Sequence, residues 1–129
     1  MELKIGYQGE VSRVVTNDMT AACCGSGLLP VFATPQLVAM MEEAACKAIE
    51  NGLDENETTV GTQINVQHTA ATPVGMRVRA EAELIEIDRR ALYFEIKAFD
   101  EKGAIGSAKH TRFIVDKQKF MDKCEAKKL

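Results

Sequence analysis

The hydrophobic positions of the chain follow two different periods, and the first of them is helical. Between residues 34 and 51 apolar side chains recur every three or four positions, as on one face of an amphipathic helix. Thr34 suits the N-cap of this helix, Pro35 its first position, and Gly52 the position just past its end. The pattern predicts one long helix, the most apolar element of the chain. Its apolar residues are Leu37, Val38, Met40, Met41, Ala44, Ala45, Ala48 and Ile49.

After this helix the period changes to two, which is typical of strands. Turn signals separate the alternating stretches, which are 60–70, 78–84, 92–98 and 104–116. We expect these stretches to form an antiparallel meander of four strands, preceded by short extended segments in 2–16 and a loop over 17–30. The basic tail can form a further helix. Because the long helix is so apolar, the sheet is expected to curl around it, which gives an α+β domain.

Composition narrows the class of protein. The 129 residues are 46% apolar and 27% charged, which suits one domain over 1–129. The net charge of −3 argues against binding to nucleic acid. No apolar run approaches the roughly 18 residues of a membrane span, and the N-terminus lacks the apolar segment of a signal peptide. The four cysteines follow neither a disulfide nor a zinc spacing, so a cytoplasmic protein with free thiols and no metal is expected.

Two adjacent carboxylates, Glu42 and Glu43, interrupt the predicted helix. With Val38 at zero and about 100° per residue, Glu42 falls at about 40°, at the edge of the apolar face. Glu43 falls at about 140°, on the polar side, where it can pair with Lys47 at i+4. A carboxylate at the edge of a core costs free energy unless it is paired or hydrogen-bonded. Glu42 is therefore the candidate functional carboxylate, and a boundary residue that reaches water is the alternative.

A histidine and a threonine extend this candidate site. His68 lies on the strand face of Val60 and Ile64, which is assigned to the helix, so it can share an environment with Glu42. Carboxylate and imidazole together can serve acid–base or nucleophilic catalysis, whereas a core histidine with satisfied nitrogens is the alternative. The Thr34 hydroxyl either only caps the helix or lies at its positive end, where an oxyanion is stabilised.

Three stretches resemble the hotdog-fold thioesterases, in particular the branch of fluoroacetyl-CoA thioesterase. They are FATPQLVAMMEEA, VGTQINVQHTAATPVGMRVRAEAEL and GSAKHTRFIVD, and GTxxxVxHTAATPxGxxVxA is the specific part. The resemblance implies a hotdog fold, in which an antiparallel sheet wraps around one long central helix. It also implies hydrolysis of a short- or medium-chain acyl-CoA to the free acid and CoA, by a homodimer or tetramer with active sites at the subunit interface.

The resemblance also assigns roles to residues. The catalytic residues that it implies are Thr34, Glu42 and His68. Substrate binding is expected at Gly61, whose bare backbone admits a thioester closely, at Phe32 and at Arg112. A surface strand arginine is the alternative for Arg112. CoA enters as part of the substrate, and we expect no separate cofactor and no nucleic-acid or membrane partner.

One segment departs from the fluoroacetyl-specific branch, which carries a phenylalanine-bearing lid before its threonine. Here that segment reads CCGSGLLPVFA, which is shorter and aliphatic, so fluoroacetyl specificity is not expected. Two other functions stay open, a non-catalytic acyl-CoA-binding protein and an enoyl-CoA hydratase of the same fold. The complete Thr/Glu/His set weighs against the first, and the HTAATP stretch weighs against the second.

Overall fold

A computed structural model describes residues 2–129, which form five strands and three helices. The strands are β1 (Gln8–Val14), β2 (Glu57–His68), β3 (Arg77–Asp88), β4 (Ala91–Asp100) and β5 (Gly103–Asp116). The helices are α1 (Ala21–Cys24), α2 (Thr34–Ile49) and α3 (Lys117–Glu125). Single turns of 3₁₀ helix occupy 17–19, 50–52 and 126–128. None of these helices combines the length and the apolar character that a membrane crossing requires.

The five strands form one antiparallel sheet in the order β1-β3-β4-β5-β2. Only β3, β4 and β5 form a meander, because their two-residue turns at 89–90 and 101–102 fix consecutive strands as hairpins. The expected four-strand meander is wrong at β2. An eight-residue connection, 69–76, separates β2 from β3, so nothing local forces them to pair. β3 pairs with β1 instead, and β2 lies beside β5 at the far edge.

The long helix packs on the concave side of this sheet, mainly against β1 and β3. Its buried face consists of Leu37, Met40, Met41, Ala44, Ala45, Ala48 and Ile49. Gly9 of β1 allows the helix backbone to approach closely, because a Cβ at this position would lie 2.3 Å from the Ala44 carbonyl oxygen. The predicted α+β class, with a sheet curled around one long helix, is therefore confirmed.

Both predicted ends of this helix are shifted. Its N-cap is Ala33, whose backbone is extended (φ −78°, ψ 141°), so Thr34 is the first helical residue and its hydroxyl caps nothing. At the other end a 3₁₀ turn, Glu50–Gly52, follows directly, so Gly52 is not the residue that stops the helix. The capping hypothesis for Thr34 is wrong by one position, and its side chain is free for another partner.

A β-bulge between Gly61 and Gln63 changes which side chains of β2 face the helix. Gly61 lies opposite Arg112 and Ile64 opposite His110, so both lie on the helix-facing side although they are three positions apart. Val60 lies opposite Phe113, a residue that is 41% exposed. Val60 therefore faces away from the helix, and the assignment of Val60 to the helix face was wrong. Strict alternation cannot predict this change, because a bulge inserts one extra residue into one strand only.

Candidate active site

The first residue of α2 and the last residue of β2 meet at one end of the sheet. Thr34 Oγ1 lies 2.7 Å from His68 Nδ1. The hydroxyl, which does not cap the helix, is thus hydrogen-bonded to the imidazole. The buried Phe32 ring meets the His68 ring edge to face, with 6.3 Å between ring centroids and 76° between planes. All three residues line a cavity of about 260 Å³ that Val31 and residues 69–71 help to close.

The other nitrogen of His68 is unusual. Its Nε2 is buried and has no hydrogen-bond partner within residues 2–129. Burial lowers the pKa of His68 from its ordinary value, and a weaker interaction with the Ala70 backbone opposes this shift. The ring is therefore neutral at pH 7, since a lowered pKa favours the uncharged form. A neutral imidazole with one free nitrogen can take up or give back a proton at a bound molecule.

The second predicted group lies near the middle of α2. Glu42 Oε2 is 3.6 Å from Arg112 Nη1, and a Cβ at Gly61 would lie 2.9 Å from the same carboxylate oxygen. Arg112 is only 7% exposed on the helix-facing side of β5, so the alternative of a surface arginine is wrong. Glu42, Gly61 and Arg112 thus form a cluster with a buried positive charge beside a half-exposed carboxylate.

The two neighbouring glutamates differ in their partners and not in their exposure. Their side chains are 40% exposed at Glu42 and 42% exposed at Glu43, so the Glu42 carboxylate reaches water as the Glu43 carboxylate does. Glu43 Oε1 lies 2.6 Å from Arg13 Nη2 on β1, and this cross-element pair replaces the expected pair with Lys47. The helical angle did separate the two, because it directs Glu42 alone towards β2 and β5.

Within one chain the structure does not bring Glu42 to His68. Thr34 and Glu42 are eight residues apart on one helix, which is about 12 Å along its axis. Gly61 and His68 lie about 20 Å apart along β2, counting one bulged residue. Each end of β2 therefore holds half of the predicted site, Thr34, His68 and Phe32 at one end and Glu42, Gly61 and Arg112 at the other.

Two further residues of the second cluster were given no role by the sequence interpretation. Thr59 accepts hydrogen bonds from Arg112, with its Oγ1 2.8 Å from Nε and its carbonyl oxygen 3.1 Å from Nη2. His110 Nε2 lies 3.1 Å from Arg112 Nη1. The position of His110, two residues before Arg112 on one strand, was an available signal, since such residues share a face. Thr59 carried the same kind of signal, since it lies two residues before Gly61 on β2 and the bulge comes only after Gly61.

Comparisons with known proteins identify the family of the chain. Residues 15–118 match the fluoroacetyl-CoA-specific thioesterase family. A fluoroacetyl-CoA thioesterase from Streptantibioticus cattleyicolor is 40% identical over 97 residues, which are 75% of this chain and 70% of that protein. The chain belongs to this family. The resemblance found in the sequence is therefore confirmed, and so is the prediction of a thioester hydrolase.

Solved structures support the family at the level of the whole fold. A structure of a fluoroacetyl-CoA thioesterase matches with a TM-score of 0.92 and 32% identity, over 98% of each chain. A thioesterase superfamily member from Thermus thermophilus matches with a TM-score of 0.91 and 31% identity, over 98% of this chain and 94% of that one. The hotdog fold is thereby confirmed.

Proposed function

We propose that the protein hydrolyses a short- or medium-chain acyl-CoA to the free acid and CoA, in a site that two subunits share. Thr34 and His68 of one subunit would act together with Glu42 of the other. The observation that carries the proposal is the division of the site between the two ends of β2, an edge strand that has only β5 as a neighbour among residues 2–129.

Pairing of two β2 edges would bring the two half-sites together. In an antiparallel pair around a twofold axis near residues 64 and 65, His68 of one strand lies opposite Gly61 of the other. That arrangement places the His68 imidazole beside the cluster that contains the partner's Glu42. It would also cover Ile64 and Val66, which pack only partly buried against the core of a single chain. A homodimer is therefore the smallest assembly that completes the proposed site.

The chemistry follows from the groups at each half-site. His68 is neutral at pH 7, so it can accept a proton and later return one to the sulfur of the departing CoA. Amide groups at the start of α2, or the Gly61 N–H, stabilise the negative oxygen that forms when the thioester carbonyl is attacked. Thr34 orients the imidazole through its hydrogen bond.

The carboxylate has two routes to the same products. As a base, Glu42 removes a proton from water, whose oxygen attacks the thioester carbon while the C–S bond breaks. As a nucleophile, Glu42 attacks that carbon itself and CoA leaves as the thiolate. Water then hydrolyses the acyl–glutamyl anhydride, and His68 accepts the proton of that water and passes it to the thiolate. In a single turnover in ¹⁸O-labelled water, label in the Glu42 carboxylate identifies the second route, with water attacking the glutamyl carbonyl carbon, because the first route places the label in the acid only.

The remaining features of the proposal follow from the substrate. CoA is the carrier of the acyl group, so the proposed reaction needs no separate cofactor and no metal. A cytoplasmic site of action suits such a substrate. The aliphatic segment before Thr34, with Leu28 and Leu29 exposed, favours an alkyl acyl group over fluoroacetyl.

The test is thiol release from acyl-CoAs of increasing length, acetyl to decanoyl. We expect wild type to turn over one length class and Glu42→Gln to lose about 100-fold or more in kcat. Glu43→Gln is the matched control, since it makes the same change at a glutamate of equal exposure on the same helix. Retained activity in Glu42→Gln would overturn the proposal. Binding without turnover, or hydration of a 2-enoyl-CoA, would favour the non-catalytic protein or the hydratase.

Sharing of the site between subunits is tested by mixing two inactive variants. A dimer of one Glu42→Gln subunit and one His68→Asn subunit contains one complete site if the halves come from different chains. Random mixing in equal amounts should therefore restore about a quarter of wild-type activity. No recovery, although native mass spectrometry shows mixed dimers, would contradict a shared site.

A further inference from the structure

The Arg112 guanidinium is held by uncharged partners and not by the carboxylate beside it. Its Nε and Nη2 donate to the hydroxyl and the carbonyl oxygen of Thr59, at 2.8 and 3.1 Å, and its Nη1 lies 3.1 Å from His110 Nε2. The distance from Nη1 to Glu42 Oε2 is 3.6 Å, which is longer than a hydrogen bond. The orientation of Arg112 is therefore set by Thr59 and His110.

These contacts determine the tautomer of His110. An arginine N–H can only donate, so Nε2 must carry the lone pair that accepts it. The carbonyl oxygen of Gln63, 2.8 Å from Nδ1, can only accept, so Nδ1 carries the proton. Burial lowers the pKa of His110, and the Arg112 charge lowers it further against opposition from the Gln63 carbonyl and Glu42. The hydrogen bonds therefore require a neutral His110 ring. Burial and the Arg112 charge favour the same neutral form.

The space in front of this guanidinium is kept open by a glycine. Gly61 lies directly opposite Arg112 in the β2–β5 register. A Cβ at this position would lie 2.9 Å from Glu42 Oε2, 3.2 Å from Arg112 Nη1 and 3.2 Å from His110 Cε1. The missing side chain leaves a small gap between a carboxylate and a fixed cation, and the empty Cβ position lies at hydrogen-bond distance from both.

We propose that Thr59 and His110 are positioning residues, which hold Arg112 so that its Nη1 faces both Glu42 and the gap above Gly61. Neutral acceptors take three of the five N–H groups of Arg112, so the guanidinium stays in place when Glu42 moves to meet a substrate. Glu42 accepts no hydrogen bond from Arg112, and its oxygens remain available. This inference rests on the proposed thioesterase function, because a fixed cation has a role here only when an acyl group reacts beside it.

The first test needs no turnover. Nitrogen-15 NMR of the histidine rings in the intact protein should show His110 neutral at pH 7, with its proton on Nδ1. The Arg112 Nε–H should exchange slowly with water in wild type and faster in Thr59→Val. A proton on Nε2, or a charged ring at pH 7, would overturn the proposal. A wild type that hydrolyses no acyl-CoA would instead overturn the proposed function and leave this measurement intact.

The second test is a double-mutant cycle on kcat/KM. Thr59→Val removes an acceptor with little change of shape, and we expect a loss of about 10- to 100-fold. Thr59→Ser keeps the hydroxyl and should keep most of the activity. Thr58→Val is the matched control, because its side chain points to the opposite face of the same strand. In an Arg112→Gln background, Thr59→Val should cost less than about twofold more.

The cycle separates positioning from general support of the fold. If the losses of the two single variants multiply fully in the double variant, Thr59 acts independently of Arg112 and the proposal is overturned.

A second pair of variants guards against misfolding at Thr59. His110→Gln offers an amide oxygen to Arg112 where His110→Leu offers none, so the glutamine variant should retain at least about tenfold more activity. Equal losses in both would count against positioning by His110.

Discussion

The two ends of β2 hold polar groups of opposite character. At the His68 end a hydrogen bond to Thr34 holds the imidazole, and its other nitrogen is buried without a partner among residues 2–129. At the Gly61 end Arg112 is held by three hydrogen bonds to neutral acceptors. An unsatisfied buried nitrogen costs free energy, whereas a satisfied network holds a charge at one place. The first arrangement suits proton transfer and the second suits electrostatic orientation.

The largest effect is expected at the His68 end. His68→Asn keeps a hydrogen-bonding atom near the place of Nδ1 but cannot accept a proton. We expect kcat to fall about 10²- to 10⁴-fold, the usual contribution of a general acid or base. Thiol release and circular dichroism would be measured together. A folded variant with more than a tenth of wild-type kcat would remove His68 from the mechanism and weaken the contrast between the two ends.

A smaller effect is expected at the other end, from Gly61→Ala. The added methyl group meets the flexible end of Glu42 first, so the carboxylate moves and the chain still folds. We expect a loss of about 10- to 100-fold in kcat/KM, with a change of a few degrees at most in the melting temperature. Thr62→Ala, at the neighbouring bulge residue, is the control. Full activity in Gly61→Ala would show that the gap above residue 61 is not used.

The smallest effect concerns stability against pH. The pKa of His68 is lowered in the folded chain by burial, so protons bind the unfolded chain more tightly. The stabilisation is complete above the ordinary histidine pKa and is lost as the pH falls through the lowered one. Urea unfolding between pH 7 and pH 5 should show a smaller pH dependence in His68→Asn than in wild type. Identical slopes would mean that His68 is not desolvated.

Part of the site was predictable because it depends on local geometry. With 3.6 residues per turn, the side chains of Glu42 and Glu43 point in different directions. This period selected Glu42, which lies beside Gly61 and Arg112. The family motif supplied Gly61 and Arg112, but not the burial of Arg112 or its partners. Thr59 reaches Arg112 only through the register of β2 and β5, whereas His110 shares a face with Arg112 on one strand. The bulge after Gly61 changes every face of β2 that follows.

The sequence by itself determined the long helix, the β3–β4–β5 hairpins and the family, because periodicity, two-residue turns and a specific motif are local features. Only the tertiary structure decided that β1 pairs with β3, that β2 lies at an open edge, and that Ala33 replaces Thr34 as the cap. Pairing of strands far apart in the chain depends on how the whole sheet closes around the helix. That closure is a property of all the packed elements together, and no short stretch of residues contains it.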